Sequence, residues 1–153
     1  ADALGVTEIR LTPERGVVLP GVAATDGQVA LDALAAIGLA TDANDRRLRI
    51  VTCPGAPSCA RGHCRTHELA GRLAEAMPAG NDEIHLSGCI KGCARRGRSA
   101  LTLVAQEDGF DVVVDGGPFD EATGHMAFDD IMRHLAAPGG PALQSRFEGG
   151  RAT

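Results

Sequence analysis

Four of the five cysteines in this 153-residue chain fall into two tight pairs. The first pair is Cys53 and Cys59, in the run Cys53-Pro54-Gly55-Ala56-Pro57-Ser58-Cys59. The second is Cys89 and Cys93, in Ser87-Gly88-Cys89-Ile90-Lys91-Gly92-Cys93. Four thiolates are the ligand set of a cubane 4Fe-4S cluster. Gly88 and Gly92 each precede a cysteine of the second pair. Glycine lets the backbone come close to a bulky cluster and turn N–H groups toward its sulfurs. Zinc also takes four thiolates, but its paired cysteines usually stand with roughly two to four residues between them. The five residues inside the first pair are wide for that geometry. A structural zinc site, in a non-catalytic module, remains an alternative, as do four buried thiols without metal.

Charge is distributed unevenly around these residues. The formal net charge is −5. Residues 1–45 hold two basic and seven acidic side chains, and residues 99–153 hold three and nine. Residues 46–98, which contain all the cysteines, hold ten basic and four acidic. A positive zone suits an anionic cluster, an anionic substrate or both; a solvated basic face is the plainer alternative. Lys91, Arg95, Arg96 and Arg98 stand nearest the second pair and would raise the reduction potential of a cluster there. The odd cysteine count, in pairs, predicts metal binding in a reducing cytoplasm rather than disulfides. Cys64 reads as a half-buried thiol without a role, because a free cysteine behaves as a small apolar residue. With His63 and His67 it makes only an incomplete metal set. His85 lies among apolar strand residues and reads as structural, while His125 and His134 have no partner visible in the sequence.

Composition excludes several classes. With four Phe and neither Tyr nor Trp, the chain lacks the stacking faces that single-stranded nucleic acid needs. Its acidity argues against general DNA binding. No apolar run approaches the roughly 20 residues needed to span a bilayer, and the N-terminus has no secretory signal pattern.

The elements that position the cysteines follow from pattern. Residues 8–12 and 17–19 read as two strands around the turn Pro13-Glu14-Arg15-Gly16. A helix capped by Thr25 or Asp26 carries Val29, Leu31, Leu34, Ala35 and Ile37 and ends near Gly38. Residues 48–51 read as a strand leading into Cys53. A helix over 66–77 places Leu69, Ala70, Leu73, Ala74 and Met77 on one face. Residues 83–86 read as a strand leading into Cys89. Two more strands, 100–104 and 110–114, join at Glu107-Asp108-Gly109. A last helix spans 128–137, with Ile131, Met132 and Leu135 inward. The stretch 138–153 is Gly- and Pro-rich and predicts a flexible tail. Both cysteine pairs are thus expected in loops just past strand ends, where a sheet can hold ligands around a cofactor.

These motifs resemble a known family. The run CPGAPSC followed by SGCIKGCARR is similar to the cluster motif of the siroheme sulfite and nitrite reductase superfamily. The opening IRLTPERGVVLPGV resembles the ferredoxin-like half domain that precedes the cluster domain there. Within the superfamily, IHLSGCIKGCARR and ALTLVAQEDGFDVVVDGG most resemble the C-terminal half of the precorrin-3B synthases of aerobic cobalamin biosynthesis. The siroheme reductases more often carry Pro-Asn where this chain has Ile90-Lys91.

The resemblance implies an α+β fold: a ferredoxin-like half domain over 1–44, a 4Fe-4S cluster-binding α/β domain over 45–137, and the tail. It implies an oxygen-dependent monooxygenase that hydroxylates precorrin-3A at a ring junction and forms a lactone. Cys53, Cys59, Cys89 and Cys93 would hold the cluster. Arg10, Arg15, Lys91, Arg95 and Arg96 would face the carboxylates of the anionic tetrapyrrole. A mononuclear non-haem iron and an electron donor belong to the full enzyme. Full enzymes have two such halves, so a missing N-terminal half or a partner chain is expected to complete the site, and the chain alone is expected to be inactive. The start at Ala fits a piece of a longer protein. The rival readings are half of a siroheme-dependent sulfite or nitrite reductase, the zinc module, and a simple ferredoxin-type carrier.

Overall fold

A computed structural model of the chain describes residues 5–137 and 142–147. The chain divides into two compact units, Ala1–Asp45 and Arg46–Thr153.

The first unit is a short hairpin followed by a helix. Strands β1 (Arg10–Leu11) and β2 (Val17–Val18) pair antiparallel, Arg10 opposite Val18 and Leu11 opposite Val17. Pro13 and Gly16 bracket the turn. Thr12 N–H donates to Gly16 O at 3.0 Å and Arg15 N–H donates to Thr12 O at 3.0 Å. Arg15 takes a left-handed φ of 64° to close it. A 3-10 turn over Ala24–Asp26 leads into α1 (Gly27–Ala36). Of this helix only Ala30 is buried; Val29, Leu31 and Ile37 are exposed rather than packed.

The second unit carries five strands: β3 (Ile50–Thr52), β4 (Ile84–Ser87), β5 (Ser99–Ala105), β6 (Phe110–Gly116) and β7 (Gly124–Met126). They form one sheet in that order. The β3–β4 and β4–β5 pairs are parallel, and the last two pairs are antiparallel. Helix α2 (Thr66–Ala76) is the crossover between β3 and β4, and α3 (Phe128–Ala136) follows β7. Register lines up Ile50, Ile84, Leu101 and Val114 across the sheet. That row and the Leu86–Leu103–Val112 row meet Leu73 and Met77, at and just past the end of α2, and Ile131 and Leu135 of α3 in one core. The row between them, Val51, His85, Thr102 and Val113, points to the other face and is buried as well. Burial on both faces fits the largely apolar run of β5; β4, Ile84-His85-Leu86-Ser87, is buried throughout although it alternates apolar and polar.

Helix ends are chemically defined. The Arg49 guanidinium donates to Pro78 O at 2.8 Å and Gly80 O at 2.7 Å, meeting carbonyls just past α2. Asp129 and Asp130 sit in the first turn of α3 and Arg133 and His134 in its last, the polarity that the helix dipole favours.

Three features differ from the pattern-based expectation. Arg46–Arg49 form a 3-10 turn with Leu48 exposed, and the strand begins only at Ile50. The short edge strand β7 has no alternating signature. Within the expected tail, Gln144–Arg146 form a 3-10 turn. Leu143 is fully buried, and the Phe147 ring stacks on His134 with centroids 5.5 Å apart. Those two apolar side chains outweigh the Gly-Pro composition around them; 138–141 and 148–153 lie outside the described residues. No described helix is long and apolar enough to cross a membrane.

Candidate functional site

Parallel pairing of β3 with β4 determines where the cysteines meet. Thr52 stands opposite Leu86, so the chain leaves both strands at the same end of the sheet. The segment after β3 carries Cys53 and Cys59; the segment after β4 carries Cys89 and Cys93. Crevices beyond the carboxyl ends of parallel strands are the usual ligand positions of such sheets.

Hydrogen bonds stitch the two loops together. Thr52 Oγ1 donates to Leu86 O at 2.8 Å. His63 N–H donates to Gly88 O at 2.8 Å. Gly88 N–H points at Cys53 Sγ, 3.3 Å away, a direct main-chain bond from the second loop to a sulfur of the first. Thr66, fully buried at the start of α2, donates its hydroxyl to Cys53 O at 2.5 Å. Ser87 Oγ donates to Cys89 O at 2.6 Å. Within the first loop, Cys59 N–H donates to Gly55 O at 2.7 Å and Ala56 N–H to Cys64 O at 2.8 Å.

Space is tight at Gly88 and closed to a side chain at Gly55 and Gly92. A Cβ on Gly88 would stand 3.3 Å from Cys53 Sγ, from Gly55 Cα and from Thr66 Cγ2. Gly55 has φ +60° and no room for a side chain against Thr66 and Cys64. Gly92 has φ +57°, and a Cβ there would run into the Pro118 ring.

Cys53, Cys59, Cys89 and Cys93 all line one cavity of about 520 Å³. All five cysteines are free thiols. Cys53, Cys59 and Cys89 are half-buried, and Cys93 is exposed. Among the described residues, no three His, Cys, Asp or Glu side chains converge tightly enough to hold a single metal ion. The four thiols line the wall of one space. A zinc ion would need four of them about 2.3 Å from a common centre. A cubane offers each thiolate its own iron corner, so the donor set and the cavity fit that group.

Cys64 lies outside the cavity wall, packed against the core. Burial, then the proximity of Cys53, pushes its thiol up to about 11, so it stays protonated and a poor ligand. His85 is fully buried, and neither ring nitrogen has a partner among the described residues. Burial, then Arg95, pushes it down to about 4.

The expected substrate-facing cations separate in the structure. Lys91 lines the cysteine cavity. Arg95 is held by Glu83 at 3.0 Å, and Arg96 lines neither this cavity nor the groove beside it. Arg10 is bonded to Glu8 at 2.6 Å and Arg15 sits in the hairpin turn; both belong to the first unit. Sequence reasoning passed over Arg61, which lines the cavity beside Cys59. Its position two residues after a ligand candidate, within the basic segment, was the available signal. His125, without a visible partner in the sequence, is 2.8 Å from Asp111 and 3.3 Å from Asp108.

Over 118 residues, 75% of the chain, it is 39% identical to a precorrin-3B synthase from Sinorhizobium sp.. Over that stretch the chain is similar to a precorrin-3B synthase. It spans 26% of that relative's length. It also superposes on the solved structure of the NirA protein of Mycobacterium tuberculosis with a TM-score of 0.69 at 17% identity, over 99% of this chain and 34% of that one. The mixed α+β fold is therefore of the nitrite/sulfite reductase type, as the motifs imply. No family model matches the chain.

Proposed function

We propose that the chain is the cluster-bearing portion of a precorrin-3B synthase. In this reading Cys53, Cys59, Cys89 and Cys93 hold a 4Fe-4S cluster beside part of an anionic precorrin site. The observation that carries it is the four-cysteine cavity, at the end of the sheet where β3 and β4 leave it together. Similarity to a precorrin-3B synthase supports this reading; in it the reaction is the oxygen-dependent hydroxylation of precorrin-3A with lactone formation that the motifs imply, in the reducing cytoplasm.

When bound, the cluster supplies one-electron transfer. The chain's own residues perform the rest. The Gly88 N–H bonds to the Cys53 sulfur, and such bonds stabilise the thiolate and raise the potential of what it holds. Thr66 and Ser87 lock the Cys53 and Cys89 carbonyls, so both loops are pre-shaped before any ligand arrives. Lys91 and Arg61 place positive charge on the cavity wall, which lowers the cost of holding an anionic group there. The mononuclear iron that the resemblance implies has no converging His and carboxylate set among the described residues. An electron donor and further protein, either an N-terminal half or a partner chain, complete the enzyme in this proposal.

Anaerobic reconstitution with iron and sulfide tests the reading. The expected result is about four irons and four sulfides per chain, lost in Cys89→Ser. Full iron and sulfide in the variant would overturn the ligand assignment. One zinc without sulfide would replace it with a structural site. Strong siroheme bands in the purified protein would move the chain to a siroheme reductase.

A further inference from the structure

Strands β4 and β5 run parallel, so residues 88–98 must return along the sheet, and no helix forms on the way. Parallel strands are usually joined through a helix, which packs itself in place. This connection carries Cys89 and Cys93 near its start and has to be fixed by other means.

Three of the four cysteines have local ties. Thr66 and Ser87 hold the Cys53 and Cys89 carbonyls, and the Cys59 N–H is bonded to Gly55 O. Cys93 is the exposed one, and no such bond reaches it among the described residues. Its neighbours carry the anchors instead. On one side the Pro118 ring fills the space beside Gly92. On the other, two residues past Cys93, Arg95 Nη2 reaches both oxygens of Glu83, Oε1 at 3.1 Å and Oε2 at 3.0 Å.

Glu83 is itself seated on the sheet. It directly precedes β4, and its carbonyl accepts from the Leu101 N–H of β5 at 3.4 Å. The Arg95 and Glu83 side chains are 33% and 40% exposed, so salt screens the pair less than one on the open surface. Burial first and Arg95 second push His85 down, so the Arg95 charge lies against β4. It does not line the cysteine cavity. The guanidinium thus reaches back from the connection to the start of the strand that the connection leaves.

We infer that Arg95 is a positioning residue: its ion pair with Glu83 pins the returning connection and so holds Cys93 at the cavity wall. The inference rests on the reading of the four cysteines as cluster ligands. It replaces the substrate-facing role that the resemblance implies for Arg95, because the cation is taken up inside the protein.

The test follows iron passing anaerobically from the reconstituted chain to a ferrous chelator. Glu83→Gln and Arg95→Gln are each expected to release iron about fivefold faster than the parent. The exchanged pair, Glu83→Arg with Arg95→Glu, is expected to return to within about twofold of it. Arg133→Gln, an equal change of charge on α3, is expected to release iron as the parent does. The electron paramagnetic resonance line shape of the reduced cluster reports its ligand geometry. It is expected to change in both single variants and revert in the exchanged pair. Uroporphyrin, a macrocycle fringed with carboxylates, is a second probe, and the parent and both single variants are expected to bind it alike.

Release at the parent's rate in both single variants overturns the clamp and leaves the ligand set standing. The two single variants change the local charge in opposite directions. Faster release in one and slower in the other would therefore reduce the effect to electrostatics and overturn the clamp. Acceleration that the exchanged pair does not reverse would refute the pairing. Weaker uroporphyrin binding in Arg95→Gln alone, with iron release unchanged, would return Arg95 to the substrate. A parent that takes up no iron and sulfide removes the ligand reading, and the clamp falls with it.

Discussion

His85 makes the second unit sensitive to acid. The ring lies in the middle strand row between Val51 and Thr102, fully buried, with both nitrogens unpartnered among the described residues. Burial, aided by Arg95, lowers its protonation from an ordinary 6.5 to about 4. The unfolded chain takes up a proton near the ordinary value, and the folded chain only near the lower one. Between them the unfolded state binds more protons, so stability falls as pH falls through that window and levels off below it. The loss by pH 4 is on the order of 3 kcal/mol. His85→Leu removes the titration and two orphaned polar atoms, whose burial costs about 1–3 kcal/mol. Urea denaturation followed by far-ultraviolet circular dichroism, on the metal-free and thiol-reduced chain, gives the comparison. The variant is expected to be at least as stable as the parent at pH 7, and its advantage should widen by the same 3 kcal/mol order by pH 4. Parallel stability–pH curves for the two proteins would refute the reasoning.

Two further perturbations follow from the site and the sheet edge. Gly92→Ala forces a side chain into a left-handed position against the Pro118 ring. The backbone strain alone costs about 1–2 kcal/mol, so reconstituted iron and the melting temperature should both fall; a variant matching the parent in both would contradict the packing. His125→Ala removes the bonds to Asp111 and Asp108 that tie β7 to the β5–β6 hairpin. The Asp111 hydrogen bond leads in raising the His125 pKa above its ordinary value. Its stabilisation is therefore full below that value and lost as pH rises through the higher folded one. Amide exchange in β7 should quicken on substitution far more near pH 6 than near pH 9, and an equal effect at both would reject the ionic tie.

Much of this was legible before any coordinates. Spacing of three and four residues from Leu69 to Met77 is enough to place α2 and its inward face, and strand runs ending at Cys53 and Cys89 place both loops. The adjacency of those loops needed the pairing of β3 with β4, which no local pattern encodes. The Arg95 side chain illustrates a second limit. Its neutraliser, Glu83, lies across a strand and a loop, so linear proximity to Cys93 suggested a freedom that the fold removes. Arg61 is the converse, a cation whose place on the cavity wall shows only in the fold. The apolar Val29 in α1 and Ile37 just past it are 58% and 74% exposed, a placement that their type alone does not reveal. At the far end, Leu143 and Phe147 were hidden by the glycines and prolines around them.

The route between the two cysteine loops runs through α2, and this would join the fate of that helix to anything the sulfurs came to hold. A guest gripped from both sides acts as a brace: α2 cannot peel away without one anchor letting go. Saturating the sulfurs should therefore slow hydrogen exchange along Thr66–Ala76 by the free energy of holding the guest. Stripping it should turn a long-lived helix into the segment where local opening, and proteolysis, begin.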